Sequence, residues 1–325
     1  GTVGMFLYRS GLFSANITGL SVSKGSVGSN PLLVILNAVP LNITAVFSDN
    51  TAVLAVVFLA VAVGLCMNVL GKEKTNTLSK LFQEINDIVV VFLNFVVTKM
   101  GPFAIFALLS RTFATYGIHY LRPALIYVVT TVILLLTYLF AGYSLLIRFG
   151  TQLNPIPFIK KISKVAMFGF STSSSAATLP LNLNTTTTEL GVDEKIASFV
   201  LPLGMTINMN GTAIMQVIAT LFIAGCSGSH VTVPILIMIS VMAMLCSAGT
   251  PASPGAGAIV LFTILSGVGF TNDAALLAYS LILAINRPIE MLVTSLNTVG
   301  DSCTCIYVAK TEGLLNKDIY NSKVK

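Results

Sequence analysis

Residues 284–310 read AINRPIEMLVTSLNTVGDSCTCIYVAK and combine two carboxylates with several amides and hydroxyls in an otherwise apolar segment. On a helix that turns about 100° per residue, spacings of four, three and four bring polar side chains into a wedge of roughly 60°. These side chains are Glu290, Thr294, Asn297 and Asp301, with Asn286 at the edge of the wedge. Charge facing lipid is costly, so we expect this polar stripe to face a protein interior or a water-filled route for a substrate or ion. The alternative is a surface helix of a soluble protein.

The composition predicts an all-α polytopic membrane protein. Of 325 residues, 55% are hydrophobic and 9% are charged, the mean hydropathy is +0.89, and several apolar runs are long enough to span a bilayer. The chain begins at Gly1, and no cleavable signal precedes the first apolar segment, so we expect further sequence upstream.

Basic residues, which give a net charge of +6, fall in four separate regions. They are Lys72, Lys74 and Lys80; Arg148, Lys160, Lys161 and Lys164; Lys195; and Lys310, Lys317, Lys323 and Lys325. Because short basic loops stay cytoplasmic, we assign these regions, including the C-terminal tail, to the cytoplasmic side of a cell membrane. Their dispersal, without aromatic residues between them, argues against nucleic-acid binding.

The cysteines and histidines show no spacing typical of a metal site. The five cysteines lie in or beside apolar segments, form no CxxC pattern, and are interpreted as small buried residues. The serine-rich segment has no His or Lys base placed by sequence to activate a hydroxyl. We therefore do not expect an enzyme.

The first half of the chain alternates apolar segments with polar connections. In order, we predict the end of a helix at residues 1–13, a Gly/Ser-rich loop at 14–30, two apolar runs within 30–69 parted by a turn at Asp49, a basic loop at 71–80, and long helices over about 85–113 and 123–149.

In the second half of the chain, polar residues interrupt the apolar segments themselves. Polar or Gly/Pro-rich breaks divide three apolar stretches, and they predict two re-entrant hairpins with a broken span between them. The breaks are residues 171–178 within 158–184, residues 208–212 within 197–225, and residues 247–257 within 231–270. Irregular backbone at membrane depth needs cover from protein or water, so the three breaks and the polar helix indicate one shared central site. This order is an inverted repeat typical of secondary transporters.

Four motifs resemble one known family. They are TSSSAATLP at residues 172–180, LPLGMTINMNGTA at 201–213, AGTPASPGAGA at 248–258 and LNTVGD at 296–301. The chain resembles the dicarboxylate/amino acid:cation symporters, which include glutamate and neutral amino-acid transporters. The match runs from about residue 30 onward and is strongest over residues 171–310.

The resemblance implies a homotrimeric elevator transporter in the lipid bilayer that lacks its upstream helices here. Residues 1–150 would then belong to scaffold and peripheral helices, residues 151–315 to a moving transport domain, and residues 316–325 to a cytoplasmic tail. The second hairpin, through residues 247–257, is expected to act as a gate because small residues permit backbone motion.

The resemblance also implies sodium sites made of hard oxygen ligands, with protons as an alternative coupling ion. One site would join the Asp301 carboxylate to carbonyls of Gly204, Asn208 and Asn297. A second would use carbonyls of Thr206, Ser247, Ala248 and Thr250. Asn210 stands where the family usually has a carboxylate that helps to hold a further cation, which puts that site in doubt.

For an amino-acid substrate, hydroxyls and N–H groups at the first hairpin tip suit the carboxylate, through Ser174, Ser175 and the amide of Asn297. Glu290, which replaces the usual Asp, would accept the ammonium. The other residues expected to contact substrate are Thr212, Ser253, Gly257, Val293 and Thr294.

Val293 takes the place of an Arg that pairs with a substrate carboxylate in acidic-amino-acid members, and Arg287 lies on the other side of the stripe. An unpaired carboxylate in a dry pocket costs about 1–3 kcal/mol or more, so the leading hypothesis is a sodium-driven importer of neutral amino acids. The alternatives are a symporter of cystine, dicarboxylates or acidic amino acids, coupled to sodium or protons, and a channel or sensor on the same fold.

Overall fold

The computed structural model describes residues 1–13, 39–40, 42–48, 53–95, 99–100, 103, 106–107, 110 and 121–322. The predicted loop at 14–30, the turn at Asp49 and most of residues 96–113 lie outside them. The described residues form helices and no strand, apart from an isolated bridge between Val192 and Leu315. The predicted all-α class is confirmed for this part of the chain.

The first described helices are short or well exposed. Their bounds are Thr2–Arg9 (α1), Ile43–Ser48 (α2), Val53–Leu70 (α3), Lys72–Phe95 (α4) and Leu121–Thr137 (α5), and α5 continues to Thr151 through π-helical turns at Tyr138–Gly142 and Leu146–Thr151. The predicted basic loop at 71–80 is wrong, because only Gly71, with φ of 81°, separates α3 from α4. The polar residues that follow Gly71 continue as an amphipathic helix.

The second half forms a chain of paired helices. Their bounds are Pro155–Thr172 (α6), Ser175–Thr188 (α7), Glu194–Ile207 (α8), Asn210–Ser227 (α9), Val233–Ala248 (α10), Ala256–Gly267 (α11), Asp273–Ile285 (α12), Arg287–Thr311 (α13) and Lys317–Asn321 (α14). The three predicted breaks are present but shorter than expected. Their non-helical residues are 173–174, 208–209 and 249–255.

Local backbone chemistry explains where these helices stop. Ser173 ends α6 in the left-handed region with φ of 50°, and the Ser174 hydroxyl then caps α7 by accepting from the Ala177 N–H at 3.2 Å. Gly255, with φ of 84°, precedes α11 in a conformation that favours glycine. The Ser-rich and Gly-rich breaks therefore have defined geometries.

The stretch from 284 to 310 is not one helix. A bend of 69° at Asn286 separates α12 from α13, and Pro288 lies in the first turn of α13, where proline is favoured. The buried Tyr127 hydroxyl of α5 donates to Asn286 Oδ1 at 2.7 Å and holds the bend. Asn286, predicted at the edge of the stripe, is the N-cap residue of α13, and its carbonyl accepts from the Glu290 N–H at 2.9 Å.

Helix α13 lies at the centre of the second half and packs against α6, α7, α8 and α9. The four stripe residues are all buried on it, with side chains facing protein. By length and composition, Arg122–Thr151 and Glu194–Ser227 are able to cross a membrane, and the bent pair of α12 and α13 adds a third candidate among the described residues.

The C-terminal helix α14 is linked to α6 and to the C-terminal end of α7 by hydrogen bonds from Lys161. Lys161 of α6 is 2% exposed, so its predicted place in a basic loop is wrong. Its Nζ donates to the carbonyls of Glu189, Ile319 and Tyr320 at 2.7–2.8 Å and lies 3.2 Å from Ser322 Oγ. These carbonyls belong to the C-terminal ends of α7 and α14, where the helix dipole favours a cation.

Candidate functional site

The three breaks converge on the middle of α13 and enclose a cavity of about 30 Å³. Most of the predicted substrate residues line it. These are Ser175, Thr212, Ser253, Gly257, Glu290, Val293, Thr294 and Asn297. The two hairpin turns and the broken helix therefore come together around one small polar space.

Ser174 is placed differently. Its hydroxyl caps α7 and donates to the Ala252 carbonyl at 3.1 Å, so it joins the two hairpin turns to each other. Its neighbour Ser173, which the sequence reasoning passed over, lines the cavity. The sequence shows three equivalent serines in a row, and the left-handed backbone at Ser173 decides which of them faces the space.

Two cavity hydroxyls have no protein partner. Ser173 Oγ and Ser253 Oγ are buried without a hydrogen bond among the described residues. Buried polar groups are nearly always paired, and an unpaired one costs about 1–3 kcal/mol. Two unpaired hydroxyls on residues that line one cavity, one from each of two polar breaks, are typical of a site that a polar ligand completes.

Asn297 links α13 to the first turn of α9 beside the cavity. Its Oδ1 accepts from the Gly211 N–H at 2.8 Å, and its Nδ2 donates to Thr212 Oγ1 at 3.2 Å. A Cβ on Gly211 would lie 3.0 Å from the Val293 carbonyl oxygen, so glycine permits the close approach of α9 to α13. The cavity wall formed by Thr212, Val293 and Thr294 is thereby held rigidly.

Glu290 gives the cavity a negative charge. Its Oε1 accepts from the Ala258 N–H of α11 at 3.3 Å, and its Oε2 lies 4.0 Å from Arg287 Nη1. Arg287 is itself partly exposed and does not line the cavity. No described lysine, arginine or histidine lines it, so the wall offers an acceptor for a cation and no cationic partner for an anion.

A second polar cluster surrounds Asp301, one helical turn beyond Asn297. Asn208 Nδ2 donates to Asp301 Oδ1 at 2.9 Å and approaches the Asn297 carbonyl at 3.3 Å, while Asn210 Nδ2 donates to Asn208 Oδ1 at 2.8 Å. A Cβ on Gly204 would lie 2.7 Å from Asp301 Oδ1, so α8 touches the carboxylate there. The residues predicted for the first cation site are therefore adjacent in space.

Tyr143 of α5 also reaches this cluster, and sequence reasoning missed it. Its hydroxyl is buried, and a Cβ on Gly300 would collide both with it and with Asn208 Nδ2. No local pattern in α5 signals this role, because the contact joins segments more than 150 residues apart.

Three of the four residues predicted for the second cation site line the same cavity. Thr206, Ala248 and Thr250 line a neighbouring cavity of about 350 Å³ between α8 and the 249–255 segment, whereas Ser247 does not. The Ser247 carbonyl accepts from the Thr250 N–H at 3.0 Å. In the part of the chain that the structure describes, no His/Cys/Asp/Glu group of the kind that holds a transition metal is present.

Comparison with known proteins places these features in one family. A profile of the Sodium:dicarboxylate symporter family matches residues 4–311. The chain is 32% identical over 260 residues to an excitatory amino acid transporter of Caenorhabditis elegans, covering 79% of this chain and 50% of that protein. It is 30% identical over 258 residues to excitatory amino acid transporter 2 of Mus musculus, covering 79% of this chain and 44% of that protein.

A bacterial relative gives a similar match. The proton/sodium-glutamate symport protein of Bacillus caldotenax is 30% identical over 284 residues, which is 87% of this chain and 65% of that protein. The chain spans about half the length of the first two of these relatives. Because the family profile covers most of the sequence, the chain belongs to the sodium:dicarboxylate symporter family.

Proposed function

We propose that the protein is a secondary active symporter that imports a small neutral amino acid together with sodium across a cell membrane. The observation that carries the proposal is the cavity at α13, which is lined both by Glu290 and by Ser173 and Ser253, whose hydroxyls have no partner among the described residues. A zwitterion matches this arrangement, because its ammonium pairs with the carboxylate and its own carboxylate accepts from hydroxyls.

Sodium coupling is supported by the Asp301 cluster. A buried carboxylate, an amide pair and helix-break carbonyls are hard oxygen ligands beside the substrate cavity. We propose Gly204, Asn208, Asn297 and Asp301 for one sodium ion and the carbonyls of Thr206, Ser247, Ala248 and Thr250 for another. Asn210 places an uncharged amide where the family usually has a carboxylate. We therefore propose fewer cation sites than in members that carry the carboxylate.

Val293 supports a neutral substrate. It is buried in the cavity wall, where an apolar surface accepts the side chain of alanine, serine or threonine. An acidic side chain there would find Glu290 and no lining cation.

An acidic amino acid is the second candidate. The relatives include excitatory amino acid transporters and a glutamate symport protein, and Arg287 Nη1 lies 4.0 Å from Oε2 of the cavity residue Glu290. Val293 offers no cationic group to an acidic side chain. If Arg287 rotated toward the cavity, its guanidinium would pair with that side chain instead. Proton coupling, cystine transport and a channel or sensor role have no separate support in the described contacts.

The architecture is proposed on the same basis. We infer an elevator mechanism in a homotrimer, with residues 1–150 in the scaffold and peripheral part, residues 151–315 moving as the transport domain, and residues 316–325 on the cytoplasmic side. The helix pairs α6 and α7, and α10 and α11, would be re-entrant hairpins, because each turns back at a polar break.

Uptake by the full chain in proteoliposomes tests the proposal. We expect labelled alanine to accumulate only with an inward sodium gradient, and to stop accumulating when an ionophore dissipates that gradient. Unlabelled serine should compete well and aspartate poorly. Accumulation of aspartate in preference to alanine would favour the second candidate, and substrate-driven current without saturation would indicate a channel.

A further inference from the structure

The first turn of α11 is held by side chains from three other helices. Gln216 Nε2 donates to the Gly257 carbonyl at 3.1 Å, the Tyr279 hydroxyl donates to the Ala258 carbonyl at 3.1 Å, and Glu290 Oε1 accepts from the Ala258 N–H at 3.3 Å. Of these three side chains, Glu290 is the one that lines the cavity. The contact at Ala258 therefore links the cavity charge directly to α11.

The segment at 249–255, just before α11, covers the same cavity. Thr250, Pro251, Ala252, Ser253 and Gly255 all contribute to its lining. The middle of this segment is tied to the first hairpin by the hydrogen bond from Ser174 Oγ to the Ala252 carbonyl. The end of this segment passes into α11, and the N-terminal end of a helix carries a partial positive charge that suits a carboxylate.

We propose that Glu290, by holding the first turn of α11, is the latch that keeps the 249–255 segment over the cavity, and that the same carboxylate receives the substrate's ammonium. The Glu290 carboxylate would then both bind the amine and hold the 249–255 segment, which is the gate. Amine binding would therefore act on the gate directly, without an intermediate residue. The ammonium part rests on the proposed function, whereas the latch depends only on the contact between Glu290 and Ala258.

Side-chain length is central to the latch. Aspartate would keep the charge, but it is one methylene shorter than glutamate and falls short of the Ala258 N–H. Glutamine keeps the length and an acceptor oxygen, but it has no charge. The two substitutions therefore separate the hydrogen bond to α11 from the electrostatic attraction to an ammonium.

The gate can be measured without any transport. A cysteine in place of Ala252 reports opening by its rate of maleimide labelling in purified protein without sodium or amino acid, with exposed Cys66 replaced by serine. We expect Glu290→Asp to raise this rate about tenfold, because a hydrogen bond to a charged group is lost. Glu290→Gln should raise it much less. A cysteine in place of exposed Glu312 should label equally in all backgrounds.

Removing the donor provides the matched test. Ala258 lies in the first turn of α11, where proline is tolerated, so Ala258→Pro deletes the N–H while keeping Glu290. It should speed labelling as Glu290→Asp does, and the double variant should label no faster than either single variant.

The outcomes distinguish the latch from the proposed function. Labelling of Glu290→Asp at the parent rate, labelling of Glu290→Gln as fast as Glu290→Asp, or additive effects in the double variant would each overturn the latch. None of these results bears on whether alanine is taken up with sodium. Conversely, a failure of sodium-driven alanine uptake in the parent protein would remove the proposed function and leave the labelling result standing.

Discussion

Two buried polar regions of the second half differ in how completely they are paired. Around Lys161, the ammonium meets three carbonyls at 2.7–2.8 Å. In the cavity at α13, Ser173 Oγ and Ser253 Oγ have no partner among the described residues. The polar groups around Lys161 are paired with one another, whereas the cavity keeps two hydroxyls with unused hydrogen-bonding capacity.

The difference teaches how to separate structural polar groups from functional ones in an apolar protein. Lys161 holds the ends of α7 and α14 together and has no capacity left for a ligand. The cavity hydroxyls keep a cost of about 1–3 kcal/mol each that a bound molecule would relieve. Variants in the first region should therefore change stability, and variants in the second should change binding.

The largest effect is expected at Asp301. Asp301→Asn should abolish sodium-driven uptake, at least a hundredfold, because an amide cannot supply the charge that offsets a dehydrated cation. The measurement is initial uptake against sodium concentration in proteoliposomes. Glu312→Gln, which removes an exposed carboxylate, serves as the control and should behave as wild type. If the mutant kept the wild-type sodium dependence, the role of Asp301 would be only to connect helices.

Lys161→Met should lower the free energy of unfolding by about 2–4 kcal/mol, because three buried carbonyls lose their donor. The adjacent Lys160→Met is a matched control, since Lys160 is exposed on the same helix. Thermal unfolding in detergent, followed for both variants, measures the difference. Equal unfolding midpoints for the two variants would contradict a structural role for Lys161.

Val293→Arg tests the character of the cavity wall. It should weaken neutral amino-acid uptake and improve aspartate affinity at least tenfold, through a charge-assisted pair of about 1.5–3 kcal/mol. Competition of unlabelled aspartate against labelled alanine in both proteins measures the change. A wild type that already takes aspartate well, or a folded variant that remains blind to it, would count against the neutral-substrate proposal.

Ser253→Ala should produce a smaller effect of distinctive form. Substrate affinity should fall about fivefold to tenfold for one lost hydrogen bond, while stability stays unchanged or rises because an unpaired hydroxyl is removed. Ser266→Ala is the matched control, since Ser266 Oγ is likewise buried and unpaired but does not line the cavity. If both variants leave affinity unaltered, the hydroxyl of Ser253 takes no part in binding.

The helical class and the three breaks could be predicted because they depend on local pattern, and most cavity residues were predicted from the motifs that resemble the family. Apolar runs interrupted by Ser, Asn and Gly/Pro clusters indicate broken helices, and the spacing along α13 aligns Glu290 with Asp301. Pro288 is a local signal for the bend at Asn286, since proline is favoured in the first turn of a helix. The helices extend further into the breaks than predicted, since small polar residues also fit inside helices.

Long-range contacts were beyond the reach of the sequence. Lys161 looks like any basic residue of a loop until the carbonyls of residues 319 and 320 are brought to it. The choice of Ser173 over Ser174 depends on one left-handed residue, and the place of Tyr143 beside Asp301 depends on how α5 packs. Each of these features is set by tertiary packing.

Direct binding measured by titration calorimetry on the purified full chain tests the central claim most directly. The cavity with its unpaired hydroxyls should bind alanine with measurable heat in sodium buffer and without measurable heat when choline replaces sodium. Aspartate should give no heat in either buffer, and Lys160→Met should titrate as the parent protein does. Tight binding of aspartate, or alanine binding that is equal with and without sodium, would contradict the account.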